Sequence, residues 1–333
     1  MLAKAPIITC GGLKLPRLIY RLIPSHRIAG AFLDLRPLLK RGALVEIPCG
    51  AFNVCLPSEW VCNPPHTLFF EGEDFLRDEI RVLGAALQEV APDGDGCIMD
   101  VGGNIGFFSL SMRAFTKLPI VSFEPNPFVH EILRNNLSRN QIAGANSSAV
   151  MMGCSDASME FTLKCGFNSA IENGHNGAMQ SWETCKALPL DQLSEMMNMG
   201  SVTATIRCVP LDDFVQDDSR VRFMKIDVEG FEHHVLRGAE NILRRDRPGL
   251  FVELHPRLLP QNGSSTEAVV AHLKERGYET TFYNFTPRKP KGGGWKRFLS
   301  RGLSEAPQAS PSLEDLIARH GPAEQLHMVA IHR

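Results

Sequence analysis

A chain of 333 residues, 44% hydrophobic and 22% charged, can hold one large α/β domain with appendages or two smaller domains. Its net charge of −2 argues against dominant nucleic-acid binding, and no window approaches about 18 uninterrupted apolar residues, so no transmembrane helix is expected. The nine cysteines show no C-x-x-C pair, and Cys49, Cys55 and Cys62 fit no zinc spacing; buried, reduced thiols in a cytoplasmic protein are the expectation.

Three regions follow in chain order. Residues 1–72 read as a proline-rich leader or appendage. Lys4, Pro6, Lys14, Pro16 and Arg17 interrupt any signal-peptide core. Residues 1–41 carry Lys4, Lys14, Arg17, Arg21, Arg27, Arg36, Lys40 and Arg41 against Asp34 alone. This arm is expected to pack as a helix with a solvated basic face; peripheral contact with an anionic membrane is the alternative.

Residues 73–285 alternate helix and strand patterns. A helix over EDFLRDEIRVLGAALQEV sets Leu76, Ile80, Leu83, Leu87 and Val90 on one face. CIMDVGG is a buried strand, and NIGFFSLSMRAF a helix showing Ile105, Phe108, Met112 and Phe115. PIVSFEP is the second strand, followed by a helix capped by Asn126 with Pro127 as its first residue. NSSAVMMGC is the third strand. SMEFTL and SVTATIRCV pair as an excursion around a polar stretch and a Leu/Met-rich helix. VRFMKIDVEG and GLFVELHP are the fourth and fifth strands; the helix between them shows Phe231, Val235, Ala239 and Ile242. SSTEAVVAHLKERG is a helix with a capping box from Ser264 to Glu267 and a stop at Gly277. YETTFYNF is the sixth strand. The last region, 286–333, holds a basic glycine-rich loop at 286–310, a short helix and a final strand at 326–333. The loop's Arg288, Lys289, Lys291, Lys296, Arg297, Arg301 and Trp295 could cover an anionic acceptor or form a plain connector. The alternation implies a mostly parallel sheet with helices on both faces, with its ligand beyond the strands' carboxyl ends.

Three clusters carry chemistry. In IMDVGGNIGFFSL a strand ends at Asp100 and turns through Gly102, Gly103 and Gly106 into a helix, so backbone can approach a ligand closely. The dinucleotide fingerprint needs glycines where Asn104 and Phe107 stand, and no phosphate-loop lysine follows. Glu124, ending the next strand, suits a ribose diol. Lys225, Asp227 and Glu229 alternate on the fourth strand, with Glu253 and His255 ending the fifth.

VGGNIG, VSFEPNP, the LDD at 211–213, MKIDVEGFEHHVLRGA and LFVELHP together resemble the FkbM-type methyltransferases over residues 97–284. The resemblance implies a methyltransferase domain over 73–333, with a family-like core at 97–284 and an insertion at about 172–200. It implies a class I methyltransferase Rossmann-like α/β fold: a seven-stranded, mostly parallel sheet, helices on both faces, and an antiparallel last strand, LHMVAIHR. It implies S-adenosylmethionine as cofactor, with Gly102, Asn104 and Gly106 along its methionine part, Glu124 on the ribose, and Ser155 and Asp156 near the adenine. The activity it implies is O-methylation of a hydroxyl on a sugar, glycolipid or secondary metabolite, with a small molecule or glycan as acceptor.

A hydroxyl acceptor needs a base or a metal. Asp227, Glu229 and His255, with Lys225, are the expected catalytic set, and His233 a further base candidate. A divalent cation on Asp227, Glu253 and His255 is the rarer alternative, a salt-bridged network centred on Lys225 the other. His234 and His175 read as packing or surface residues. A nicotinamide-dependent oxidoreductase and a non-catalytic protein of the same fold are the competing classes.

Overall fold

The computed structural model describes residues 2, 5–9, 39–62, 68, 74–91, 94–141, 147–166, 179–215, 219–285, 308–320 and 325–333. Most of the basic arm, His175 and the basic loop up to residue 307 lie outside these. The described residues form two compact units. One draws on residues 1–77 and 164–204, the other on 78–163, 205–285 and 307–333.

The second unit is built on seven strands: β1 Cys97–Val101, β2 Ile120–Phe123, β3 Ser147–Val150, β4 Val221–Ile226, β5 Gly249–Leu254, β6 Tyr278–Tyr283 and β7 Leu326–His332. Their order is β6-β7-β5-β4-β1-β2-β3. The strands from β5 to β3 are parallel to their neighbours, whereas β7 runs antiparallel between β5 and β6. This is the expected class I methyltransferase sheet. Its period of two sorts the core. Ile98, Ile120, Phe223, Phe251 and Val329 join Leu83 and Leu87 on one face, while Met99, Met224, Ile226, Val252 and Met328 join Val235, Leu236 and Val269 on the other.

The helices that frame the site are α1 Arg77–Val90, α2 Phe107–Met112, α3 Pro127–Arg139, α4 Glu232–Arg237, α5 Glu240–Arg245, α6 Thr266–Lys274 and α7 Leu313–His320. Helix α1 starts one residue later than its apolar stripe suggests, because Leu76 has a φ of 48°. Asn126 caps α3 as expected, accepting from the Phe128 and Val129 amides. The α6 cap is Ser265, not Ser264: Ser265 accepts from the Ala268 amide, while the Ser264 hydroxyl bonds His233 Nδ1 at 2.6 Å. The single helix expected after β4 is broken into α4 and α5 at Gly238-Ala239. Asp212, from the LDD run, receives the Asn241 and Ile242 amides at 2.8 and 3.0 Å and so starts α5. The third expected strand ends at Val150, and Gly153–Cys154 pairs instead with Cys208–Val209. Met159–Cys165 and Val202–Val209 fall in one separate small sheet, in line with the expected excursion.

In the first unit, strands Leu44–Pro48 and Asn53–Pro57 pair antiparallel, and helix Ser58–Cys62 follows. Helix Leu190–Asn198, from the insertion, meets it: the Trp60 indole donates to the Ser194 carbonyl at 3.4 Å, and Asn198 donates to the Glu59 carbonyl. No disulfide joins the described cysteines, and among the described residues no helix is long and apolar enough to cross a membrane.

Candidate active site

All the site residues belong to the second unit and stand at the carboxyl edge of its sheet. The turn after β1 is held by its neighbours on both sides. Gly102 and Gly103 donate to the Phe123 carbonyl at 3.0 and 2.8 Å. Gly102 has a φ of 79°, and a Cβ there would collide with the Asp227 carbonyl oxygen. The glycine turn and the fourth-strand cluster are therefore in direct backbone contact. Asn104 is left-handed at a φ of 46°, and its amide donates to Glu124 Oε2 at 2.9 Å. The Asn126 amide donates to Glu124 Oε1 at 2.8 Å. Glu124 is thus fixed by two backbone donors, one on each oxygen, and each oxygen keeps a lone pair for a further donor. Burial pushes its carboxyl up to about 7, against those two hydrogen bonds.

Asp100 and Lys225 lie beneath the turn. They are register partners on β1 and β4, so they share a face. Asp100 is fully buried, bonded to the Ser109 hydroxyl and 3.4 Å from Lys225 Nζ. Lys225, 2% exposed, donates to the Gly102 carbonyl at 2.9 Å and lies 3.5 Å from Asp227 Oδ2 and over the Phe108 ring. Burial alone would lower its pKa, but Asp100, Asp227 and Glu253 outweigh that and raise it. Lys225 braces the turn through the Gly102 carbonyl, and Asp100 holds Lys225 in place. Ser155 is buried, and Asp156 is engaged by His234 at 3.0 Å and Arg237 at 2.6 Å.

The third cluster assembles where β4 and β5 end. His255 is 3% exposed. Its Nδ1 is 2.7 Å from Oε1 of Glu232, a fully buried carboxylate that also accepts the Gly230 amide. Its Nε2 faces Glu229 at 3.4 Å, Glu253 at 3.8 Å and Asp227 at 4.0 Å. Burial works against the imidazolium, but Glu232 first and then Asp227 and Glu229 raise the ring's pKa to about 9. Burial raises Asp227 and Glu229 as well. Glu253 is lowered: burial is outweighed by His327, whose Nε2 is 3.3 Å away, and by His255. Glu229 reaches the cluster from a left-handed backbone, φ 50°. His233, a candidate base, is instead tied to Ser264, and His234 to Asp156 and the Asn262 carbonyl. Sequence reading missed Glu232 and His327. Glu232 sits inside the GFEHH run as one acid of an apparently solvated first helical turn, and His327 has no local signal at all.

The chain matches the family model described as the methyltransferase FkbM domain over residues 100–280. It belongs to the FkbM methyltransferase family. Family membership implies S-adenosylmethionine as the methyl donor. The residues fit that group at Glu124, a buried carboxylate whose two oxygens each keep an acceptor position beyond their backbone donor. A relative from Beauveria bassiana, "Methyltransferase 1", is 31% identical over 50% of this chain and 68% of its own length. "Hexuronic acid methyltransferase AglP" of Haloferax volcanii is 28% identical, over 56% of this chain and 66% of its own. The crystal structure of a methyltransferase FkbM from Methylobacillus flagellatus superposes with a TM-score of 0.36 at 17% identity, covering 56% of this chain and 39% of that one.

Proposed function

We propose that this FkbM methyltransferase moves the methyl group of S-adenosylmethionine to a hydroxyl oxygen on a sugar, glycolipid or secondary metabolite. The observation that carries the reading is the group Asp227, Glu229, Glu253 and His255, set against the cofactor turn through the Gly102–Asp227 backbone contact. The sulfonium is already activated, so the protein has to align oxygen, methyl and sulfur and accept one proton. Gly102, Asn104 and Gly106 would border the methionine part, and Glu124 would take the ribose hydroxyls. The carboxylates at the ends of β4 and β5 orient the acceptor hydroxyl and one of them receives its proton, a role typically contributing about 10²–10⁴-fold.

Aromatic rings support a sugar acceptor. Tyr283 and Phe285 stack at 5.9 Å, and Phe285 meets His327 edge-on at 4.7 Å, beside Glu253. Both rings pack partly against the core, and their remaining half-buried faces would be the apolar surface for the C–H side of a pyranose ring. AglP, by its name, acts on a hexuronic acid, which agrees with this class.

The experiment is mass spectrometry of cell extract incubated with the protein and methyl-labelled cofactor. The expected product carries the label on oxygen. Asp227→Asn and Glu229→Gln keep size and remove charge; each is expected to lower turnover at least tenfold while S-adenosylhomocysteine affinity stays within a few-fold. Full turnover in both variants, or label on carbon or nitrogen, overturns the assignment.

A further inference from the structure

We infer that Asp227, Glu229 and His255 form a divalent-cation site, on which the acceptor hydroxyl is a further ligand. The inference rests on the proposed role of this cluster as the acceptor site, and it replaces the sequence-derived set, in which Glu253 stood in place of Glu229.

Two independent observations carry it. The first is geometry: one ligand atom from each of the three residues lies within 4.8 Å of the others. Nε2 is 3.4 Å from the Glu229 carboxylate and 4.0 Å from that of Asp227, both within the roughly 4.2 Å that two ligands about 2.1 Å from one ion can span. The second is His255 Nε2. The residue is 3% exposed, and this nitrogen makes no hydrogen bond although it points among carboxylates. A buried polar atom left unbonded is costly unless something fills the space in front of it. Its other nitrogen is fixed at 2.7 Å by Glu232, which is 0% exposed and further anchored by the Gly230 amide. A histidine oriented by a buried carboxylate on its far nitrogen is the usual support of a metal-ligating imidazole. Glu229 comes in from a left-handed backbone at φ 50°, a conformation disfavoured for glutamate, and its carboxylate faces Nε2.

Glu253 is left out of the ligand set because the three ligand atoms that come close enough together are those of Asp227, Glu229 and His255, and its Oε2 is 3.3 Å from His327 Nε2. The other Glu253 oxygen, Oε1, faces the cluster 3.8 Å from His255 Nε2 and is the proton acceptor. In the step, the acceptor O–H bond breaks and its proton passes to Glu253. The oxygen's electron pair forms the bond to the methyl carbon. The carbon–sulfur bond breaks with its pair going to sulfur, giving the neutral thioether. The cation would lower the pKa of the hydroxyl bound to it and hold that oxygen in place by coordination. Two carboxylates and one imidazole suit Mg²⁺ or Mn²⁺, with water and acceptor in the remaining positions.

Mn²⁺ is the probe. Full-length protein freed of metal by chelator and desalting is titrated with Mn²⁺ and followed by calorimetry and by electron spin resonance. One ion per chain is expected, with a nitrogen coupling from the imidazole in the pulsed spectrum. Glu229→Gln, whose side chain is 45% exposed and so unlike His255 is no threat to folding, should weaken Mn²⁺ at least tenfold. His255→Gln should abolish the nitrogen coupling, and the exposed control Glu279→Gln should change nothing. No stoichiometric Mn²⁺ binding, or binding unaltered in Glu229→Gln, overturns the site. If Mn²⁺ binds as described but no oxygen is methylated, the site stands and the proposed reaction fails. If oxygen is methylated at full rate in chelator, the reaction stands and the site fails.

Discussion

Glu124 illustrates what one residue is asked to do. It is 7% exposed and spends one lone pair of each oxygen on a backbone amide, from Asn104 and Asn126. Burial raises its pKa from 4.5 to about 7. The folded chain therefore binds more protons here than the unfolded chain between those two values, so this group's contribution to stability falls as pH rises through that window and is constant above it. Ribose hydroxyls donate to the ionised form, so the cofactor responds in the opposite sense. S-adenosylhomocysteine affinity, by calorimetry, is expected to rise about tenfold from pH 6 to pH 8. Glu124→Gln should be weaker at every pH and flat across it. A flat profile for the wild-type chain would remove Glu124 from the cofactor site. Its strand-end position made Glu124 legible in the sequence. Its two backbone donors were not, because they depend on Asn104 adopting a positive φ.

At the scale of elements, two of the three glycines in the turn between β1 and α2 make different demands. Gly102 needs its left-handed φ of 79° and the space its missing Cβ leaves for the Asp227 carbonyl. Gly103 has an ordinary backbone, and a Cβ there would sit 3.1 Å from the Ser122 Cβ, a contact that a few tenths of an ångström relieve. Gly102→Ala is therefore expected to abolish S-adenosylhomocysteine binding and to lower turnover through the displaced Asp227. Gly103→Ala should keep affinity within a few-fold. Equal losses in both variants, measured by calorimetry on folded protein, would mean the turn is limited by bulk and not by backbone. The strands and most helices of this unit were legible because their periods of two and 3.6 follow from burying one or both faces. The break between α4 and α5 was not. It depends on Asp212 arriving from a segment 29 and 30 positions from the amides it caps at the start of α5, and capping by a distant residue leaves no mark in the local pattern. Ser264 likewise looked like a cap by spacing, but its hydroxyl serves His233 and the neighbouring Ser265 caps in its place.

For the whole molecule, a mostly parallel sheet with its ligand side at the carboxyl ends of the strands could be anticipated from the alternation of elements, and the seventh, antiparallel strand from the family resemblance. The pairing of the leader with the insertion could not, because it joins segments more than a hundred residues apart through a few apolar residues. Trp60 is 3% exposed, Leu193 fully buried and Met197 1% exposed, all in the first unit. We propose that residues 39–62 serve to cover the insertion helix, a role outside the chemistry of methyl transfer. Every residue assigned to the cofactor and the acceptor belongs to the second unit. Trp60→Ala removes a large buried side chain and should destabilise the first unit by about 3–5 kcal/mol. Calorimetric scanning is expected to show one transition moved to lower temperature, while a second transition keeps its stabilisation by S-adenosylhomocysteine and affinity stays within a few-fold. If Trp60→Ala instead abolishes cofactor binding in protein that remains folded by circular dichroism, the leader is part of the active site, and the division of labour between the two units fails.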